Sequence, residues 1–295
     1  MRRLHPARAV QNAMRTQIIL NADDFGSSAT INEAVIRAHR QGVLTSASLM
    51  VTGDAVEEAT ALAQETPTLA IGLHAVVAGG RAVLPPEQIP HIVDSTGCFV
   101  DDPLRAGLGY FFSRTARQEL ARELEAQFDR FATTGLSLSH VDSHLHMHLH
   151  PTVFDILLPL AMRYGARGLR LPRDDFWFAM GHDRRRGGLK ATWAVVFGLL
   201  GRRCESRLGG NHLTVAHRVY GLMQTGHMHK AYVASLLRHL KVPTAELYFH
   251  PSTVFEGEAS GPNPDDLATL LSPAIRQVIQ EQDFCLATYS TLGKE

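Results

Sequence analysis

A chain of 295 residues that is 45% hydrophobic is long enough for one large α/β domain with a sizeable core. Its 29 basic residues equal its 29 acidic ones, which excludes a nucleic-acid partner held by a broad basic field. The cysteines, Cys98, Cys204 and Cys285, are scattered without a CxxC pair, which excludes a zinc ribbon or disulfide framework and fits a reducing, cytoplasmic compartment.

Residues 1–16 are basic, lack an apolar run of signal-peptide length and read as a disordered lead-in, leaving 17–290 as one domain. Residues 17–20 are an apolar run, hence a buried strand, and Asn21, Ala22, Asp23 and Asp24 stand at its end. Over 30–41, Ile31, Ala34, Val35 and Ala38 recur at helical spacing, and Gly42 stops the helix. A strand over 47–51 follows, then a helix capped by Asp54 and closed before Pro67. A third strand, 69–73, delivers His74. From 78 to 112 glycines and prolines break every period; so long a loop is usually functional, and we read it as a cover over a site.

Residues 115–133 form an amphipathic helix lined by Leu120, Leu124, Phe128 and Phe131. A strand over 138–143 ends at His144, and a helix covers 152–164. A short strand over 168–171 is stopped by Pro172. Helices over 189–200 and 231–240 precede a strand over 245–249 that ends at His250. A helix over 272–280 and a strand over 284–287 complete the chain. No run reaches the roughly 18 apolar residues that span a bilayer.

Alternating strands and helices predict a parallel sheet with helical crossovers. Asp24, His74, His144, Arg170 and His250 lie at or beside strand ends, where parallel barrels carry their active sites. The expected fold is therefore a distorted TIM-like (β/α) barrel, a single domain with inserted loops.

The 16 histidines are the compositional outlier, and His grouped with acids points to metal chemistry. Neighbouring side chains at a strand end need not share a direction, so one of Asp23 and Asp24 can bind a metal while the other acts as a base. A helix cap is the plainer role for either. Asp24-Phe25-Gly26 mimics a kinase metal motif, but no Gly-rich loop or His-Arg-Asp loop accompanies it. Between 140 and 150 the chain carries His140, Asp142, His144, His146, His148 and His150. Strand alternation puts His140, Asp142 and His144 on one face. His144 is then a ligand, and Asp142 an acid that orients a ligating imidazole. His146 and His148 line the cleft or sit on a surface loop. Asp24, His74 and His144 would leave open positions on one divalent ion, a donor set that suits zinc better than magnesium without choosing between them. His250 can protonate a leaving group, or simply cap a strand before Pro251. Arg170 and Arg173 flank Pro172 and can orient acids or substrate. Residues 184–203, an apolar helix flanked by arginines, can lie on a membrane surface or be an ordinary buried helix with solvated ends.

At these residues the sequence resembles the YdjC-like family of carbohydrate deacetylases. The matching strings are Asn21-Ala22-Asp23-Asp24-Phe25-Gly26, Ile71-Gly72-Leu73-His74, His140-Val141-Asp142-Ser143-His144, Arg170-Leu171-Pro172 and Glu246-Leu247-Tyr248-Phe249-His250-Pro251. Within the family it is most similar to the hopanoid-biosynthesis-associated HpnK branch, through Leu84-Pro85-Pro86-Glu87, His148-Leu149-His150-Pro151-Thr152, Gly226-His227-Met228 and Leu271-Ser272-Pro273. Asp142-Ser143 departs from the Asn-Ala expected in that branch.

The resemblance implies metal ligands at Asp24, His74 and His144 and a catalytic base at Asp23. It also implies removal of an acetyl group from an N-acetylglucosaminyl headgroup of a hopanoid lipid, which would place the protein at the inner face of the cytoplasmic membrane. The alternatives are a deacetylase of soluble sugars such as chitooligosaccharides, another metallohydrolase (amidohydrolase or phosphoesterase), and a non-catalytic binding protein. The rival metallohydrolases, amidohydrolase and phosphoesterase, carry His-x-His after their first strand, where this chain has Asp23-Asp24.

Overall fold

The computed structural model describes residues 15–255 and 261–293, so all but the last two residues of the expected lead-in lie outside it. The first strand, β1 (Gln17–Phe25), is buried along almost its whole length, so both of its faces are covered. Ile18, Leu20 and Ala22 join the large apolar core, while Ile19 packs with Val219, Ala287 and Tyr289 in a separate cluster. By the two-residue period Asn21 and Asp23 share the side of Ile19. One face of β1 is thus apolar throughout, and the other turns from apolar to polar along the strand.

The remaining strands are β2 (Ser46–Leu49), β3 (Ala70–Ala75), β4 (Leu138–Ser143), β5 (Gly168–Leu169), β6 (Arg218–Tyr220), β7 (Thr244–Phe249) and β8 (Cys285–Leu286). They run parallel in the order β5-β4-β3-β2-β1-β7-β6, with β8 beside the first residues of β1. The outer edges meet just before β6: Leu169 N–H donates to the Thr214 carbonyl at 3.0 Å, and Thr214 N–H to that of Arg167 at 2.9 Å. The sheet therefore curls into a distorted TIM-like barrel with helices around it. All strand C-termini face one end.

The chain beyond β8 plugs the opposite end. The Tyr289 ring stacks on His140 with centroids 5.0 Å apart. Two glycines make room for this floor: a Cβ on Gly168 would lie 2.0 Å from the Tyr289 ring, and one on Gly72 would lie 2.4 Å from the His140 ring.

Several elements differ from the sequence expectation. The segment read as irregular from 78 to 112 ends in a helix, Pro103–Phe112. Pro103 opens it at a position where no N–H is needed, and the Asp102 carboxylate accepts from Leu104 N–H at 2.9 Å. Asp54 does not cap the next helix. That helix is Val56–Gln64, its N-cap is Ala55, and Ala55 N–H is spent on the Gly26 carbonyl at 2.9 Å. The helix expected over 189–200 extends over Gly187–Arg207. Strand β6 and the helices Phe176–His182 and Pro264–Leu270 have no counterpart in the sequence reading, being too short for periodicity to show. Among the described residues no helix is long and apolar enough to cross a membrane.

Candidate active site

The barrel interior is polar at its upper end because strands β1, β2, β4 and β7 and the residue after β5 each send a hydrophilic side chain inward. Arg170, immediately after β5, is fully buried at the centre. Its Nη1 and Nη2 donate to Asp23 Oδ2 and Oδ1 at 2.7 and 2.8 Å, a two-pronged pair. Nε and Nη2 donate to Glu246 Oε1 at 2.9 and 2.7 Å, and Nη1 lies 2.8 Å from Asp142 Oδ2. Those five contacts match the five N–H groups of a guanidinium. The guanidinium carbon also sits 4.7 Å over the Tyr248 ring. Burial opposes the charge, but Asp142, Asp23 and Glu246 outweigh it and hold the Arg170 pKa well above its usual value. Burial raises the Glu246 pKa, against Arg170 and the Tyr289 hydroxyl, which donates to Oε2 at 2.5 Å.

A second layer of hydrogen bonds fixes which atoms remain free. Asn21 Nδ2 donates to Asp23 Oδ1 at 2.8 Å and to Ser48 Oγ at 2.9 Å, and Ser46 Oγ donates to Asn21 Oδ1 at 2.6 Å. Ser48 Oγ donates to Asp142 Oδ2 at 2.8 Å. A hydroxyl has one proton, so the contact of 3.0 Å between His140 Nε2 and Ser48 Oγ requires the imidazole to donate. Burial pushes the His140 pKa down to about 4, so the ring is neutral and its Nδ1 is a bare acceptor. Asp23 Oδ1 accepts from both Asn21 and Arg170, whereas Oδ2 accepts from Arg170 and keeps one acceptor position.

Asp24, His74 and His144 converge at the C-terminal mouth. One donor atom from each lies within 4.8 Å of the others. Asp24 Oδ1 is 3.4 Å from His74 Nε2 and 3.2 Å from His144 Nδ1. Asp24 adopts φ 64°, and Leu145 and His146 adopt 54° and 53°. Such left-handed backbone is costly for residues other than glycine, and three instances at one mouth mark a site held by its surroundings. The bends explain how adjacent residues diverge: Asp23 points to Arg170, and Asp24 to the two histidines. His144 has left β4 and begins the tight turn His144–Leu149.

His74 Nδ1 is 2.7 Å from Asp142 Oδ1. Burial lowers its pKa, but Asp142 and the hydrogen bond to Asp24 more than offset this and raise it to about 10. Burial likewise opposes the ionised forms of Asp24 and Asp142. The His144 and His74 hydrogen bonds hold Asp24 well below the usual carboxylate range, and Arg170 with His74 does so for Asp142.

The other residues singled out in the sequence fall in distinct places. His250 lies at the rim, with Nε2 4.0 Å from Asp23 Oδ2. His146 is wedged against Tyr248, whose hydroxyl is 2.9 Å from its Nε2, and against Phe197. Burial pushes the His146 pKa well down. His148 is fully buried behind the site: Nε2 donates to the Arg170 carbonyl at 2.9 Å, and Nδ1 accepts from Ser143 Oγ at 2.8 Å. It pins the turn to the residue after β5 and does not reach the cleft. Arg173 pairs with Glu205, away from the carboxylates.

Asn21, Ser46, Ser48, Glu246 and Tyr289 escaped the sequence reading as site residues. Glu246 had one signal, an acid at an inward position of an otherwise apolar strand. Asp266 also went unread. It is buried on the helix Pro264–Leu270 and accepts from His250 N–H at 2.9 Å and Met228 N–H at 3.1 Å. Burial raises its pKa to about 6. Asp266→Ala strands two buried backbone donors and should cost about 2–4 kcal/mol, read from urea melts. It should also free His250 from its register at the rim of the site. A melt identical to the wild type would show that the clamp is unimportant.

A family described as YdjC-like protein matches residues 17–281. The carbohydrate deacetylase of Brevibacillus brevis is 33% identical over 94% of this chain and 100% of its own length. The chitooligosaccharide deacetylase of Serratia marcescens is 29% identical over 95% of this chain and 100% of its own. Among solved structures, a candidate cellobiose-phosphate cleavage protein of Enterococcus faecalis V583 superposes with a TM-score of 0.70, over 94% of this chain and 99% of that one. At 23% identity that likeness concerns the fold. The match across nearly the whole barrel, with the convergent acids and histidines inside it, shows that this chain belongs to the YdjC-like protein family.

Proposed function

We propose that the chain is a metal-dependent carbohydrate N-deacetylase whose divalent cation is held by Asp24, His74 and His144. The supporting observation is the convergence of three donors, from the ends of β1, β3 and β4, beside an aspartate clamped by arginine. The donor set fits a cation. Asp142 occupies Nδ1 of His74 and leaves Nε2 facing Asp24, as an oriented imidazole ligand requires. The other acid–histidine group, Asp23, His74 and Asp142, fits less well, because Arg170 already occupies both of its carboxylates. A bound cation would supply Lewis-acid polarisation of the acetamide carbonyl and a lowered pKa for the attacking water.

The protein's own groups supply the proton transfers. Asp23 Oδ2 has the free acceptor position and takes the proton of the attacking water. His250, beside it at the rim, gives a proton to the departing amine, because an amide nitrogen leaves poorly without one. Asn21 and Arg170 keep Asp23 oriented.

The substrate we propose is an N-acetylglucosaminyl headgroup on a hopanoid lipid, met at the inner face of the cytoplasmic membrane through residues 184–203. Free Cys98, Cys204 and Cys285 support a reducing location. The names of the relatives support the soluble-oligosaccharide reading equally. The test is acetate release from N-acetylated chitooligosaccharide and from detergent-solubilised N-acetylglucosaminyl glycolipid. EDTA should abolish release, and zinc or magnesium should restore it, the more effective ion naming the metal. Release undiminished by EDTA, or none from either substrate with metal bound, would overturn the proposal.

A further inference from the structure

Eight of the fifteen exposed large apolar residues among those described lie on two helices, Pro103–Phe112 and Gly187–Arg207. Both helices border the turn that carries His144. Phe111 of the first meets His150 at the end of that turn, with ring centroids 6.3 Å apart, and Phe197 of the second meets His146 within it at 5.8 Å. Leu145, beside His144, is itself exposed. The two helices therefore stand at the mouth of the candidate site.

Their outward faces invert the usual pattern, in which the solvent side of a helix is polar. On the longer helix, Val195, Val196 and Leu199 are exposed within little more than one turn and Leu189 lies two turns before Val196 on the same side, with Val195 62% and Leu199 60% exposed. On the shorter one, Leu104, Leu108, Phe111 and Phe112 form a second stripe, with Phe112 78% exposed. Trp177, 81% exposed, projects from the helix Phe176–His182, which packs against the longer one. Water solvates none of these stripes well, and so much apolar surface at one end marks an interaction site.

The charge beside the stripes chooses the partner. No acidic residue occurs between 103 and 118 or between 184 and 204, in a chain that is neutral overall. Exposed Arg105 and Arg114 border the first stripe, and exposed Arg184, Arg186 and Arg202 border the second. Apolar faces bordered by these arginines, with the exposed acids Asp101, Asp102 and Glu205 standing only past their ends, match the surface of an anionic bilayer: arginines meet headgroups while the aliphatic and aromatic side chains enter the acyl boundary.

We infer that the two helices and Trp177 form a docking surface for an anionic phospholipid bilayer, which places the site mouth against the membrane. This surface deepens the glycolipid reading of the same site and enlarges it beyond residues 184–203 by a second helix 70 or more residues earlier in the chain.

The experiment is flotation of the full-length, metal-loaded protein with vesicles of phosphatidylglycerol and phosphatidylcholine, and with phosphatidylcholine alone. Wild type should float with the anionic vesicles, with Trp fluorescence shifted to the blue. Val195→Asp with Leu199→Asp, and separately Leu108→Asp with Phe112→Asp, should each reduce flotation about tenfold or more. Both should leave acetate release from soluble chitooligosaccharide unchanged. Wild type that stays at the bottom, or variants that still float, would overturn the docking surface. So would self-association that uses these stripes in place of vesicle binding. Flotation by a protein that releases no acetate would sink the deacetylase reading and spare the docking surface. Acetate release without flotation would do the reverse.

Discussion

Arg170→Met should remove much of the protein's stability. The substitution leaves Asp23, Asp142 and Glu246 buried around a site with no guanidinium. Removing one partner of a buried ion pair typically costs about 3–5 kcal/mol, and three carboxylates lose their partner here. Domains are stable by about 5–15 kcal/mol in total, so the loss is a large share. Arg170→Lys should recover only part of it, since an ammonium has three donors against the five used.

The pH response should reverse as well. In the wild type Asp142 titrates well below its usual value, so its contribution is present at neutral pH and is lost as pH falls below the usual carboxylate range. Without Arg170, burial raises the carboxylate pKa values above those of the unfolded chain. The variant should then gain stability as pH falls through those raised values, because the folded state binds the extra protons. Urea melts from about pH 8 down to about pH 2, past the usual carboxylate range, measure both effects. A variant that melts like the wild type with the same pH slope would show that the network is not what holds the barrel end.

Asp23→Asn should lower kcat by about 10²–10⁴, the usual contribution of a positioned general base. An amide cannot accept the proton at the position Oδ2 keeps free. Asp24, His74 and His144 are untouched, so metal content by mass spectrometry should stay at the wild-type level. Arg170 retains Glu246 and Asp142, so the fold should survive. Turnover within about threefold of wild type, against an expectation of at least 10², would remove Asp23 from the base role. Loss of metal together with activity would instead assign Asp23 to holding the cation site.

The two predictions separate what Asp23 and Arg170 each do, and that separation was only half legible in the sequence. Asp23 and Asp24 could be read as two roles, because adjacent residues at a strand end can diverge. Only the family resemblance assigned Asp24 to the metal and Asp23 to the base; what turns the Asp24 carboxylate to the two histidines is its left-handed backbone, a conformation with no local sequence signal such as glycine. His148 shows the opposite case. It sits in the same cluster as His144 and looks equivalent to it in sequence, yet a tight turn buries it against the Arg170 carbonyl.

Helix Pro103–Phe112 was hidden because Pro103, Gly107 and Gly109 read as breaks. Pro is tolerated at a first turn, and the helix gains its stability from packing on the barrel rather than from propensity.

The sequence by itself determined the alternation of strands and helices and therefore the barrel. It also determined which residues stand at strand ends, because both follow from periods of two and 3.6 residues along a local stretch. The tertiary structure alone decided that Arg170 meets three carboxylates, that Tyr289 closes the floor over His140, and that two apolar stripes flank one mouth. Those contacts join residues far apart in the chain, Asp23 with Arg170 and Glu246 with Tyr289 among them, and no local period encodes a partner that distant.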